Sequence, residues 1–185
     1  MQSKYSFEEM KELLESYFLK FHQPAFIEQD PISIPHLFSR KEDIEIAGFF
    51  AAVLAWGQRK VILQKSKTLL EMMDMQPFAF VMKHQESDLK AFLHFKHRTF
   101  RADDALYCIH FLRFCYERFG SLEQAFSQFL SKEDRHIKKA LVGFLYTFYE
   151  FARSPSQNGK TYPEPRERLC CQAAMYVFEV DGKTR

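Results

Sequence analysis

Apolar residues recur along this chain at helical spacing. Phe7, Met10, Leu14, Tyr17, Phe18 and Phe21 fall three or four apart, which puts them on one side of an amphipathic helix. Ser6 and Glu9 sit where a capping box needs them: the hydroxyl serves the first free backbone N–H groups and the carboxylate reaches back. The pattern predicts a helix over 7–21 that ends before Pro24. Pro24, Pro31 and Pro35 then mark an extended connection. Ser39 and Glu42 form a second capping box ahead of Ile44–Trp56, a run apolar almost all round and so expected to be central and buried. Gly48, Ala51, Ala52 and Ala55 in that run would let neighbouring helices approach closely.

Gly57 breaks the run. Gln58, Arg59 and Lys60 open the next helix, which carries Ile62, Leu69, Leu70 and Met73. Pro77 suits the first position of a short helix through Met82, and 88–92 is a further helical stretch. Asp103 is placed to cap a long helix over 104–119. One stripe of it holds Ala105, Cys108, Ile109, Leu112, Cys115, Tyr116 and Phe119, and a second holds Tyr107, Phe111 and Phe114, so it should touch neighbours on two sides. Gly120 fits the position after its end. Ser121, with Gln124 three later, restarts a helix to about Leu130. The last clear helix spans about 135–152, with Leu141, Phe144, Leu145, Phe148 and Phe151. No internal repeat and no strand alternation stands out. The expected fold is all-α: a compact bundle of about seven or eight helices over residues 1–154, with an irregular tail over 155–185.

Composition agrees. Apolar residues make up 46% of the 185, and 21 are Phe against 6 Gly and 7 Pro, which favours packed helices over a turn-rich β fold. The net charge of +2 argues for no acidic partner by itself, so a nucleic-acid reading must rest on local patches. None of the four cysteines forms a C-x-x-C pair. Cys108 and Cys115 share a helix face as small core residues, and Cys170 and Cys171 read as reduced thiols of a cytoplasmic protein. No segment offers 18 uncharged apolar residues and the start is not a signal sequence, so neither secretion nor a membrane partner is expected.

Three places could carry chemistry. In 92–101, cations and rings interleave: Lys96, His97, Arg98 and Arg101 among Phe92, Phe95 and Phe100. Cations meet phosphates and rings stack on bases; equally, the rings could plug a core while the charges stay solvated. At Trp56–Lys60, Gly57 permits close backbone approach, a helix start favours an anion, and Arg59, with Lys60 beside it, could clamp a phosphate. The plain alternative is a helix corner whose Arg pairs with an acid such as Asp103 or Asp104. Those two carboxylates could in turn do acid–base or metal work, or simply cap a helix. The seven histidines show no ligand spacing, and H-E-x-x-H, G-x-S-x-G, Walker and G-x-G-x-x-G motifs are absent. No cofactor and no metal is expected, and no catalytic residue is assigned.

Taken together, Ile44–Phe49, Ala55–Arg59, Phe95–Phe100 ahead of Asp103 and Asp104, and Phe119–Glu123 resemble an uncharacterised bacterial family, domain of unknown function 2400, over roughly Phe7 to Ser154. The resemblance implies a longer protein. Its full-length members continue with a basic K-G-S-A-x-K-R-L stretch, then F-L-R-W-M-V-R, and later a P-L-D-T-H segment similar to one in the helix-hairpin-helix DNA glycosylases. That similarity implies base excision from DNA. Back-translation of Glu167–Thr184 with suitable codons, read one base on, gives K-G-S-A-A-K-R-L-C-M-F-L-R-W-M-V-R. The tail from about Lys160 is therefore expected to be out of frame, a hypothesis that independent clones carrying the printed frame would overturn.

The functional expectation is the truncated N-terminal half of a glycosylase-like protein, not catalytic by itself. It would touch DNA through Arg59, Lys60, Lys96, His97, Arg98 and Arg101. The alternatives are a helical module that binds a protein or ligand without catalysis, and a metal-dependent hydrolase using Asp103 and Asp104. Self-association through surface bared by truncation is also expected.

Overall fold

The computed structural model describes residues 5–153. Eight α-helices occur among them: α1 (Phe7–Phe21), α2 (Pro24–Glu28), α3 (Lys41–Val53), α4 (Arg59–Glu71), α5 (Pro77–Lys83), α6 (Ala102–Phe119), α7 (Leu122–Ser127) and α8 (Lys138–Arg153). Short 3-10 turns lie at Pro31–Ser33, Pro35–Leu37 and Asp88–His94. The architecture is all-α, as the periodicity indicated. The expectations for the tail and for Cys170 and Cys171 lie outside the described residues.

Helix α6 is the centre. Both of its stripes are covered, with Cys108, Ile109, Phe111, Leu112 and Cys115 fully buried. Its Tyr107 and Phe111 meet Phe148 of α8 edge to face at 4.9 and 4.7 Å. Such edge contacts add about 0.5–1.5 kcal/mol each beyond the area they bury. Burial pushes the Cys108 and Cys115 thiols far above the ordinary range, so both act as small apolar groups. Gly143 lets α8 pass under Phe129, since a Cβ there would lie 2.3 Å from the ring.

Glu45 fastens α3 to this centre. Its carboxylate accepts from Tyr116 Oη (2.8 Å) and from the Leu122 and Glu123 N–H groups at the start of α7 (3.0 and 3.2 Å). One side chain thus serves two of the orphan donors that every helix start leaves. Asp43 does the same for α5, accepting from Phe78 N at 2.9 Å.

Several local expectations are corrected. Pro24, Pro31 and Pro35 do not mark extended chain; each begins a short helical turn, where its fixed φ is favourable and its missing N–H costs nothing. Ser39 does not cap α3. Arg40 takes the cap position, and Glu42 pairs with Arg40 at 2.8 Å rather than reaching back. Asp103 is likewise not the cap of α6, which already starts at Ala102, after Arg101; Asp104 accepts from Arg101 N at 2.8 Å. A two-residue hairpin, β1 (Lys96–His97) with β2 (Phe100–Arg101), stands where no strand was expected.

The first helix departs most. The Ser6–Glu9 capping box forms as read, yet no residue of α1 is buried, and Phe7 is 81% exposed. Amphipathic spacing reports a face that can be covered, not one that is.

Candidate functional site: a cationic corner and groove

The hairpin and the α3–α4 corner, read separately in the sequence, form one unit. His97 joins them. It is buried, and its Nε2 lies 3.1 Å from the Leu54 carbonyl oxygen and 3.2 Å from that of Trp56. Two acceptors at that nitrogen assign it the proton. Burial, assisted by the nearby Arg98 and Lys65 charges, holds the imidazole below its usual range. His97 therefore cannot meet a phosphate at the surface. It fastens the hairpin to the end of α3.

Strand alternation sorts the rest. His97 and Phe100 are cross-strand partners and both are buried, whereas Lys96 and Arg101 are partners and both are exposed. Two cations directly opposite destabilise a ribbon slightly. The rings of Phe92, Phe95 and Phe100 are core. The rings thus plug the core while the cations other than His97 stay exposed, as the plainer reading of this stretch expected.

Arg98 sits at the hairpin turn with φ +53°. Its guanidinium lies over the Trp56 ring, 5.4 Å from the centroid. A Cβ on Gly57 would fall 2.6 Å from Arg98 Nε, and Gly57 itself has φ +128°. The backbone angle requires the glycine, and the absence of a side chain there leaves room for the guanidinium to pass.

Arg59 is the first residue of α4, with Lys60 exposed beside it. Its corner partner is neither Asp103 nor Asp104 but Asp30, at 3.7 Å. Its guanidinium also stands 5.3 Å from the Phe26 ring centroid. Asp30 and Phe26 were missed in the sequence, although Asp-Pro is a recognisable start for a 3-10 turn: Asp30 Oδ1 accepts from Ile32 N at 3.1 Å.

An open groove of about 530 Å³ runs beside this pair. It is lined by Gly48, Ala51, Ala52 and Ala55 of the α3 region, by Pro31, Ile32 and Pro35 of the proline turns, by Gly57 and Ile62, and by the charged pair Asp30 and Arg59. Close approach does not require the glycine at 48, since a Cβ there would make only an ordinary 4.0 Å contact with Pro35; the small side chains of this face instead leave this hollow.

Asp103 is exposed and Asp104 buried in the first turn of α6. No group of three His, Cys, Asp or Glu residues that could hold a metal occurs among the described residues. No helix there is long and apolar enough to cross a membrane.

A family model matches residues 30–177, beginning at Asp30 in the groove and leaving out α1 and α2; it is described as Protein of unknown function (DUF2400). No curated protein and no solved structure matches the chain.

Proposed function

The chain belongs to the DUF2400 family, and we propose that it binds DNA through the corner and hairpin just described. The observation that carries this reading is the convergence of Arg98 on Trp56 and Gly57, which ties the exposed cations of the hairpin to those at the start of α4. Lys96 and Arg101 stand side by side despite their repulsion, an arrangement that a polyanion would stabilise. The exposed Trp56, already bearing a cation on its ring, is a surface on which a base can stack. Arg59 presents a planar fork for a phosphate at a helix start.

Fluorescence anisotropy with labelled single-stranded and duplex oligonucleotides, at low and at physiological salt, tests the reading. Binding that weakens steeply with salt supports it. Failure to bind either form at any salt concentration overturns it.

The finer reading is that this binding serves base excision in a longer, glycosylase-like form of the protein. It rests on the resemblance of the family's P-L-D-T-H segment, and no catalytic residue is assigned among those described. Release of free base from damaged duplex by the protein in the shifted frame beyond Lys160 is its test; no release of base at high enzyme concentration counts against it.

A second reading, a helical interaction module without activity, is favoured by α1, whose apolar face is uncovered. Under it, removal of residues 1–21 would abolish concentration-dependent self-association while the DNA assays stayed blank.

A further inference from the structure

We propose that the groove between α3 and the proline turns takes an unpaired nucleotide, with its base against the small residues of α3 and its phosphate on Arg59. This rests on the DNA-binding reading and names the part of the nucleic acid that the site selects.

Shape is the first argument. The groove, at about 530 Å³, falls in the ~300–1,000 Å³ range of small-ligand clefts. On the α3 side its lining is Gly48, Ala51, Ala52 and Ala55, with no side chain beyond a methyl group, which leaves room for a flat ring between them and the Ile32 and Ile62 side chains that complete the apolar lining. Both stacked faces of a base are hidden in a duplex. Only an unpaired base can offer a face to such a lining.

Charge is the second. The two charged groups of the lining are Asp30 and Arg59, and they lie together as a pair. At 3.7 Å the pair is loose, and a guanidinium has donors enough to serve a carboxylate and a phosphate together. The Asp30 carboxylate opposes a phosphate there, so Asp30→Asn should tighten binding. Asp30 is half-buried and partly occupied by the Ile32 N–H, which keeps the competing carboxylate in place when the groove is empty.

Continuity is the third. Gly57 belongs to the groove lining and also carries the Arg98 contact. A strand whose phosphates follow the hairpin cations passes the mouth of the groove at Gly57 and can lay one base into it.

The experiment compares wild type with Ala52→Trp, using a labelled single strand and a duplex of equal length, and deoxyadenosine monophosphate as competitor. Ala52 is exposed on the groove face, so an indole there fills the hollow without entering the core. The expected result is single-strand affinity lowered about ten-fold, the weight of one stacked base, with duplex affinity unchanged, and wild-type single-strand binding displaced by the nucleotide. If Ala52→Trp lowers the melting temperature, Gly48→Leu is used instead, since only Pro35 comes within 4.0 Å of a Cβ there. Unchanged single-strand and duplex binding in the filled variants overturns the nucleotide site and leaves the DNA reading standing. Equal loss of both forms overturns the site as well. No binding of either form by wild type overturns the DNA reading together with it.

Discussion

Gly57 and Arg98 lie so close that a Cβ on Gly57 would fall 2.6 Å from Arg98 Nε. The two residues are far apart in the chain, and their meeting sets the hairpin against the helix corner. With φ at +128°, Gly57→Ala should cost about 1–3 kcal/mol through backbone strain. It should also push Arg98 off the Trp56 ring. The checks are a lower melting temperature and weaker DNA binding together. Adding Arg98→Ala to Gly57→Ala should relieve the clash but not the strain, so stability stays low.

His97 makes stability depend on pH. Its folded pKa lies below the ordinary 6.5 because burial disfavours the cation. Below that ordinary value the unfolded chain takes up a proton that the folded chain resists. The contribution is whole above about 6.5, falls as the pH drops below it, and is fully lost once the pH passes the folded pKa. Arg98 and Lys65 add to this by repelling an added positive charge, while the Trp56 and Leu54 carbonyls partly offset it. Thermal melts at pH 5.5 and 7.5, about a unit either side, should show a drop at the lower pH. His97→Gln should flatten that dependence while lowering the melting temperature throughout, through its less satisfied carbonyl partners on Leu54 and Trp56.

Lys96 and Arg101 are expected to act as charge, not as readers of sequence. Replacing both with Gln should weaken DNA binding about equally across sequences and reduce the salt slope by about 2, near 0.9 for each phosphate no longer neutralised. Because the two repel each other across the ribbon, stability should hold or rise slightly. A melting temperature that falls by several degrees would mean that their role is in the fold.

Glu45 supplies a prediction for the fold alone. Its carboxylate meets one hydroxyl and two backbone N–H groups. Glu45→Ala strands those donors at the start of α7 and should cost about 3 kcal/mol, with hydrogen bonds to a charged group at about 1.5–3 each before water replaces part of them. Glu45→Gln keeps the shape and should lose less. DNA affinity at temperatures well below the melt should not move, because the corner at Arg59 and the hairpin are built from other side chains.

Residue pattern alone determined most of the helices. The Ser6–Glu9 capping box of α1, the Pro77 start of α5, the apolar stripes of α6 and the Ser121 cap of α7 depend on near neighbours along the chain, and such local physics is written directly in it. The two stripes of α6 likewise announced a helix buried on two sides. Only the tertiary structure decided what lay between elements. Asp30 rather than Asp103 or Asp104 meets Arg59 because the proline turns, short helical pieces rather than extended chain, bring it back to the start of α4. His97 left the cationic set because a two-residue ribbon turns alternate side chains inward, a choice that period-2 burial makes and that four residues are too few to display. The groove appears only when small residues on α3 face two prolines from another segment. The bare face of α1 shows the same limit from the other side: spacing creates an apolar face, and burial needs a second surface that spacing cannot supply.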